Sequence, residues 1–148
     1  MNGWNEKEAI AFWEKYYAQI LKEVNIKKFA ADIINKLRQE GHKIYIITAR
    51  WDMPKENVEE ITRNWLQENG VEYDGLFLNA SDKLTIAKEN NIDIFIDDSF
   101  KNCKKVADRS DIKVYMMDSR ANEQMNDEKI QRVFSWPEIY DLINREEK

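Results

Sequence analysis

Two adjacent aspartates, Asp97 and Asp98, close the apolar run IDIFID. Neighbouring carboxylates beside a buried segment repel each other, and one takes up a proton unless a cation compensates. A divalent, oxygen-seeking ion is the natural compensation, with magnesium and several retained waters as the leading choice. Lys83 adds a second signal. It stands in the first turn of the helix expected after Asn79, where the helix dipole disfavours a cation by about 0.3–1 kcal/mol. A lysine placed there can serve an anion. A solvated surface lysine is the plain alternative, just as Asp98 or Ser99 could do no more than cap the next helix.

These residues need a scaffold, and the pattern of apolar residues supplies one. Four short runs, 43–48, 75–79, 92–97 and 112–118, are nearly continuous in apolar character, as strands buried on both faces are. Helical stretches separate them, marked by Val58, Ile61, Trp65 and Leu66, by Leu84 and Ala87, and by Cys103, Val106 and Ala107. Ser135 to Glu138 forms a capping box for a last helix. Before residue 43 the chain reads as helix throughout. Asn5 caps a stripe from Ile10 to Val24, and a second helix from Lys27 to Glu40 stops at Gly41. Alternating strand and helix predicts a parallel sheet covered on both faces, a Rossmann-like three-layer α/β/α fold. Ligands bind at the carboxyl ends of such strands. Here those ends are Thr48-Ala49-Arg50, Asn79, Asp97-Asp98-Ser99 and Asp118-Ser119. Residues 119–128 read as one polar loop.

Composition excludes several other chemistries. A chain of 148 residues is one domain by size. Its 43% apolar content, with five Trp, six Tyr and six Phe, excludes a disordered chain. One Cys and one His cannot build a disulfide scaffold or a zinc module. The four glycines form no phosphate-binding loop, because Leu76 and Phe77 follow Gly75 where a P-loop needs Lys and Ser or Thr. A net charge of −5, with basic residues spread along the chain, argues against nucleic acid. No apolar run approaches a membrane span and no leader is evident, so the expected location is cytoplasmic with no membrane contact. His42 and Cys103 read as a surface residue and a small core residue respectively.

Taken in order, the strand ending in Thr48, the helix-start Lys83 and the apolar strand ending in Asp97-Asp98 resemble motifs of the haloacid dehalogenase superfamily of phosphatases. The strings IYIITAR, NWLQENGVEYDGLFLNASDK and NNIDIFIDDSFKNC are similar in particular to the 5'(3')-deoxyribonucleotidase branch, the cytosolic type C nucleotidases. The likeness runs from about residue 28 to the end and includes the RVFSWPEIYDLI tail. It implies that Thr48 hydrogen-bonds the substrate phosphoryl group, with Ala49 and Arg50 beside it, and that Lys83 neutralises developing charge. It also implies that Asp97 and Asp98 hold Mg2+. The implied substrate is a phosphorylated small molecule such as a nucleoside monophosphate.

One family element is missing. The superfamily's nucleophile is the first Asp of a D-x-D motif on a preceding strand, and no two aspartates of this chain are separated by a single residue. The comparison suggests a partial helical cap over 1–26 and a core over 27–148 whose first central strand is absent. The strands at 43–48 and 93–97 are then expected either to close up on each other or to have the gap filled from outside, which would make a homo-oligomer. The functional expectations are a nucleotidase-like phosphatase domain that is inactive alone, a non-catalytic metal- and phosphate-binding module, or a strand-accepting interaction module.

Overall fold

The computed structural model describes residues 2–4, 7–10, 29–48, 57–78 and 82–146, the first two segments as backbone only. Strand β1 (Asn2–Trp4) pairs antiparallel with β2 (Lys7–Ile10). Helix α1 (Ala30–Gln39) follows, then β3 (Tyr45–Ile47), α2 (Val58–Glu68), β4 (Gly75–Phe77) and α3 (Lys83–Glu89). The chain continues through β5 (Ile94–Asp97), α4 (Phe100–Arg109), β6 (Lys113–Met117), β7 (Ile130–Val133) and α5 (Trp136–Glu146).

The helix ends follow the side-chain chemistry at their boundaries. Asn57, Asp82 and Ser99 accept the N–H groups of Glu60, Thr85 and Asn102 and so start α2, α3 and α4. Before α5, Ser135 accepts from the N–H of Glu138, whose carboxylate reaches back to the N–H of Phe134 at 2.7 Å. The reaching-back contact is thus made one residue earlier than in the usual capping box. Helix α1 gives way to Gly41 at φ 105°, the left-handed conformation that glycine adopts without strain.

The described strand pairs from β3 onward are parallel, with Ile46 opposite Leu76, Phe95 opposite Val114 and Met116 opposite Arg132. Strand β6 shows why two helical layers form. Its alternate residues Val114 and Met116 join Leu84, Phe95, Cys103 and Val106 in a cluster under α3 and α4. Tyr115 and Met117 turn to the opposite face and pack with Ile34, Leu37, Ile46, Trp65, Trp136 and Ile139 from α1, β3, α2 and α5. The expected Rossmann-like α/β/α arrangement is present, with parallel strands between helices.

Three local expectations need correction. Residues 7–10 are strand rather than the start of a helix capped by Asn5. The stripe from Trp13 to Val24 lies outside the described residues, as do Lys27 and Lys28, and the second helix begins at Ala30 after Phe29 in a left-handed conformation (φ 66°). Strand β7 was not anticipated, because Gln131 and Arg132 interrupt its apolar character while Ile130 and Val133 are buried.

Strands β3 and β5 do not close up on each other. Their ladders are β3-β4 and β5-β6-β7, and among the described residues no ladder joins them. A cavity of about 450 Å³ lies between, bordered by Tyr45 and Ile47 on one side and Ile94 to Asp97 on the other. The backbones of β1 and β2 approach β5, and that of β2 also approaches β3, while β1 and β2 form a separate ladder. Among the described residues no helix is long and apolar enough to cross a membrane.

Candidate phosphate and cation site

Asp97 ends β5 with its carboxylate almost completely withdrawn from water. Its Oδ2 accepts from Lys83 Nζ at 2.9 Å and from Asn102 Nδ2 at 3.2 Å. Its Oδ1 accepts the backbone N–H groups of Asp98 at 2.8 Å and Ser99 at 3.1 Å. A carboxylate offers about four acceptor positions, so these donors saturate Asp97. The ammonium of Lys83 is buried too, its side chain 3% exposed, and one of its donors is committed to Asp97.

The local sequence explains how the two charges meet. Lys83 is the first residue of α3, directly after the capping Asp82, and this helix start faces the carboxyl end of β5. An acidic cap beside Lys83 offsets the unfavourable dipole. Ser99 caps α4, and Asn102 lies in that helix's first turn with its amide turned back to Asp97. Cys103 is fully buried, and its Sγ lies 3.6 Å from the Asp97 carbonyl oxygen, to which it donates. Burial, reinforced by the negative charge of Asp97, raises the thiol well above its ordinary pKa, which keeps it protonated and unreactive.

Across the gap, Thr48 follows β3 and is 1% exposed, its N–H donating to the carbonyl of Phe77 at 2.9 Å. Ile47 and Asp97, the last residues of their strands, border the same cavity. Residues 11–148 match the family described as 5' nucleotidase, deoxy (pyrimidine), cytosolic type C protein. The chain is 29% identical over 135 residues to a nucleotidase of Clostridium acetobutylicum, covering 90% of this chain and 67% of that protein. It is 30% identical over 137 residues to YqfW of Bacillus subtilis, a provisionally named nucleotidase, covering 90% and 68% of the two chains. A provisionally named nucleotidase of Bacillus cereus is 34% identical over 122 residues, covering 80% of this chain and 60% of that one.

The chain belongs to the cytosolic type C nucleotidase family.

Within this nucleotidase domain the residues expected at the site fall into three groups. Lys83, Asp97 and Asp98 come together at the carboxyl end of β5. Thr48 stands at the carboxyl end of the other ladder. Ala49, Arg50 and Asn79 lie outside the described residues. The geometry also separates the two aspartates. Asp97 is supplied with donors on both oxygens, while Asp98 beside it is half-buried. No group of three or more His, Cys, Asp or Glu gathers among the described residues. That donor set suits magnesium held by one or two carboxylates with several waters, and does not suit an ion enclosed wholly by protein.

Two asparagines that bind this site had no sequence signal. Asn102 reaches Asp97 through a helix start that reads only as the residue three places after a serine cap. Asn122 sits in what reads as a polar loop, yet it is 1% exposed and bonds to the Asp98 carbonyl.

Proposed function

We propose that this chain carries the phosphate- and cation-holding side of a magnesium-dependent nucleotidase, with nucleoside monophosphates as ligands, and that it does not turn them over alone. The observation that carries the reading is the buried Lys83–Asp97 pair beside Asp98 at the end of β5. Catalysis of phosphoryl transfer is mainly positioning and charge stabilisation, which an ammonium fixed by a saturated carboxylate supplies. In this reading Asp97 orients Lys83, the remaining ammonium donors of Lys83 meet phosphoryl oxygens, and Thr48 donates its hydroxyl to the same group, with Arg50 nearby. Asp98 is the ligand for magnesium, which when bound neutralises charge on those oxygens. The absence of any D-x-D pair supports the lack of turnover. The core in this reading is 27–148, and the family description supports a cytoplasmic setting.

The test is phosphate release from deoxyribonucleoside monophosphates with magnesium, run beside calorimetric binding of the same compounds. Binding that weakens at least tenfold in Lys83→Gln, with release no faster than background, is the expected result. Magnesium-dependent release that vanishes in Asp98→Asn would show that another nucleophile exists. Absence of binding under all conditions would reject the phosphate site.

The gap between β3 and β5, which the chain's own β1 and β2 backbones approach, favours a second reading, a module whose sheet takes up an extended strand. Ladder alternation turns the N–H and C=O groups of Tyr45 and Ile47 away from β4 and toward the gap, because Ile44 and Thr48 bond to the β4 side. Such an edge invites association, including with a second copy. Sedimentation that shows a monomer at every concentration would reject the homo-oligomer.

A further inference from the structure

Asn122 is the most heavily bonded side chain of the loop between β6 and β7. Its Nδ2 donates to the carbonyl of Asp98 at 2.8 Å and to that of Met117 at 2.9 Å. Its Oδ1 accepts from the N–H of Ser119 at 3.1 Å and from Arg132 Nη1 at 2.8 Å. All four positions of the amide are used, which also fixes which side is oxygen and which nitrogen. Arg132 of β7 holds the same loop from below. It donates to Asp118 Oδ1 at 2.7 Å, to the Asn122 carbonyl at 2.9 Å and to the Met125 carbonyl.

The partner that matters is the Asp98 carbonyl. It belongs to the peptide unit joining Asp98 to Ser99, and the N–H of that same unit donates to Asp97 Oδ1. One peptide plane is therefore pinned at both ends, by Asn122 at its oxygen and by the Asp97 carboxylate at its nitrogen. A peptide that accepts a hydrogen bond at oxygen donates more strongly at nitrogen. The ladder between β5 and β6 ends at the Asp97–Met116 pair, so beyond it the Asn122 amide bridges the two strand ends in place of backbone rungs.

We propose that Asn122 is a positioning residue for the Asp97–Asp98 pair: it locks the Asp98–Ser99 peptide so that Asp97 stays saturated and turned to Lys83 while Asp98 is held at the strand end. Arg132 is the anchor that fixes Asn122. Without the amide donors the 98–99 peptide is free to rotate, Asp97 loses its Ser99 donor, and Asp98 shifts with the same rotation. The consequence for cation binding rests on the reading of Asp98 as the magnesium ligand; the consequence for the peptide does not.

Asn122→Asp is the informative variant. It keeps an oxygen for Ser119 and Arg132, preserves the volume, and removes both donors. In hydrogen exchange followed by NMR, the Ser99 amide is expected to exchange at least tenfold faster in Asn122→Asp, with the Asn69 amide that caps the end of remote helix α2 unchanged. Were Asn122 merely a filler and an anchor for Arg132, the Ser99 amide would keep its wild-type protection in this variant, and that result overturns the proposal. In parallel, Mn2+ affinity is measured for the wild type, Asp98→Asn and Asn122→Ala, where loss of a residue behind a ligand weakens binding by about tenfold or more. Weaker binding in Asp98→Asn alone overturns the effect of Asn122 on the cation. No change in Asp98→Asn overturns the cation reading itself, and the Ser99 amide then decides the positioning role.

Discussion

Lys83 and Asp97 form an ion pair at 2.9 Å with side chains 3% and 1% exposed, joining the start of α3 to the end of β5. Taking two charges out of water is costly, and the pair is retained because each charge answers the other. Removing one partner strands the other. Lys83→Met is expected to destabilise the fold by about 3 kcal/mol, and Lys83→Met with Asp97→Asn by less than the sum of the single changes. Urea unfolding of the single and double variants checks this; additive losses would show that the pair is not coupled.

Asp74 gives the fold an acid-sensitive tie. Burial pushes its carboxyl upward, but the Ile44 N–H and the Arg38 guanidinium outweigh that and hold it below the usual value. A lowered folded-state pKa stabilises above the unfolded value of about 3.9, and the contribution is lost as pH falls through the folded value. Asp74→Asn is expected to cost about 1–2 kcal/mol at neutral pH. The difference from wild type should close below about pH 4, as chemical unfolding across pH would reveal.

Gly75 starts β4 opposite Tyr45, and a Cβ there would stand 2.6 Å from Tyr45 Cδ1. The Tyr45 ring also packs near Phe77, with centroids 6.2 Å apart, so it has little freedom to withdraw. Gly75→Ala is expected to cost about 1–3 kcal/mol by overpacking. Tyr45→Ala in the same chain should recover part of that loss in a thermal melt; no recovery would place the strain elsewhere.

Ser99 accepts the Asn102 N–H and fixes the first turn of α4, from which Asn102 reaches Asp97. Ser99→Ala is expected to cost about 1 kcal/mol, and Ser99→Asn much less because it can also cap. Equal melting temperatures for the two variants would contradict a capping role.

The parts of the fold that depend on runs and spacing were legible in the sequence. Continuous apolar stretches gave away β3 to β6, and Gly41 and Ser99 marked helix ends, because burial on both faces and capping are local requirements. Strand β7 was hidden since Arg132 turns its side chain to Asp118 and Asn122 instead of to a core. The pairing of β1 with β2 was hidden by a helical stripe that begins only at Ile10 and fixes nothing before it. The placement of Lys83 at a helix start and of Asp97 and Asp98 at a strand end was readable from the pattern of runs. Asn122 was not, because its role comes from a loop folding back across β5, which no spacing encodes.

The separation of the β3-β4 and β5-β6-β7 ladders bears on how the molecule comes apart. Among the described residues no ladder joins the two, and they pack on each other through the side-chain layer of Ile46, Trp65, Tyr115 and Trp136. Cooperativity in such a chain rests on packing in one layer, so one ladder can open at a lower free energy than the other. Calorimetric and van't Hoff enthalpies should then diverge on heating, a seam in the melting of a chain short enough to be expected to melt as one unit.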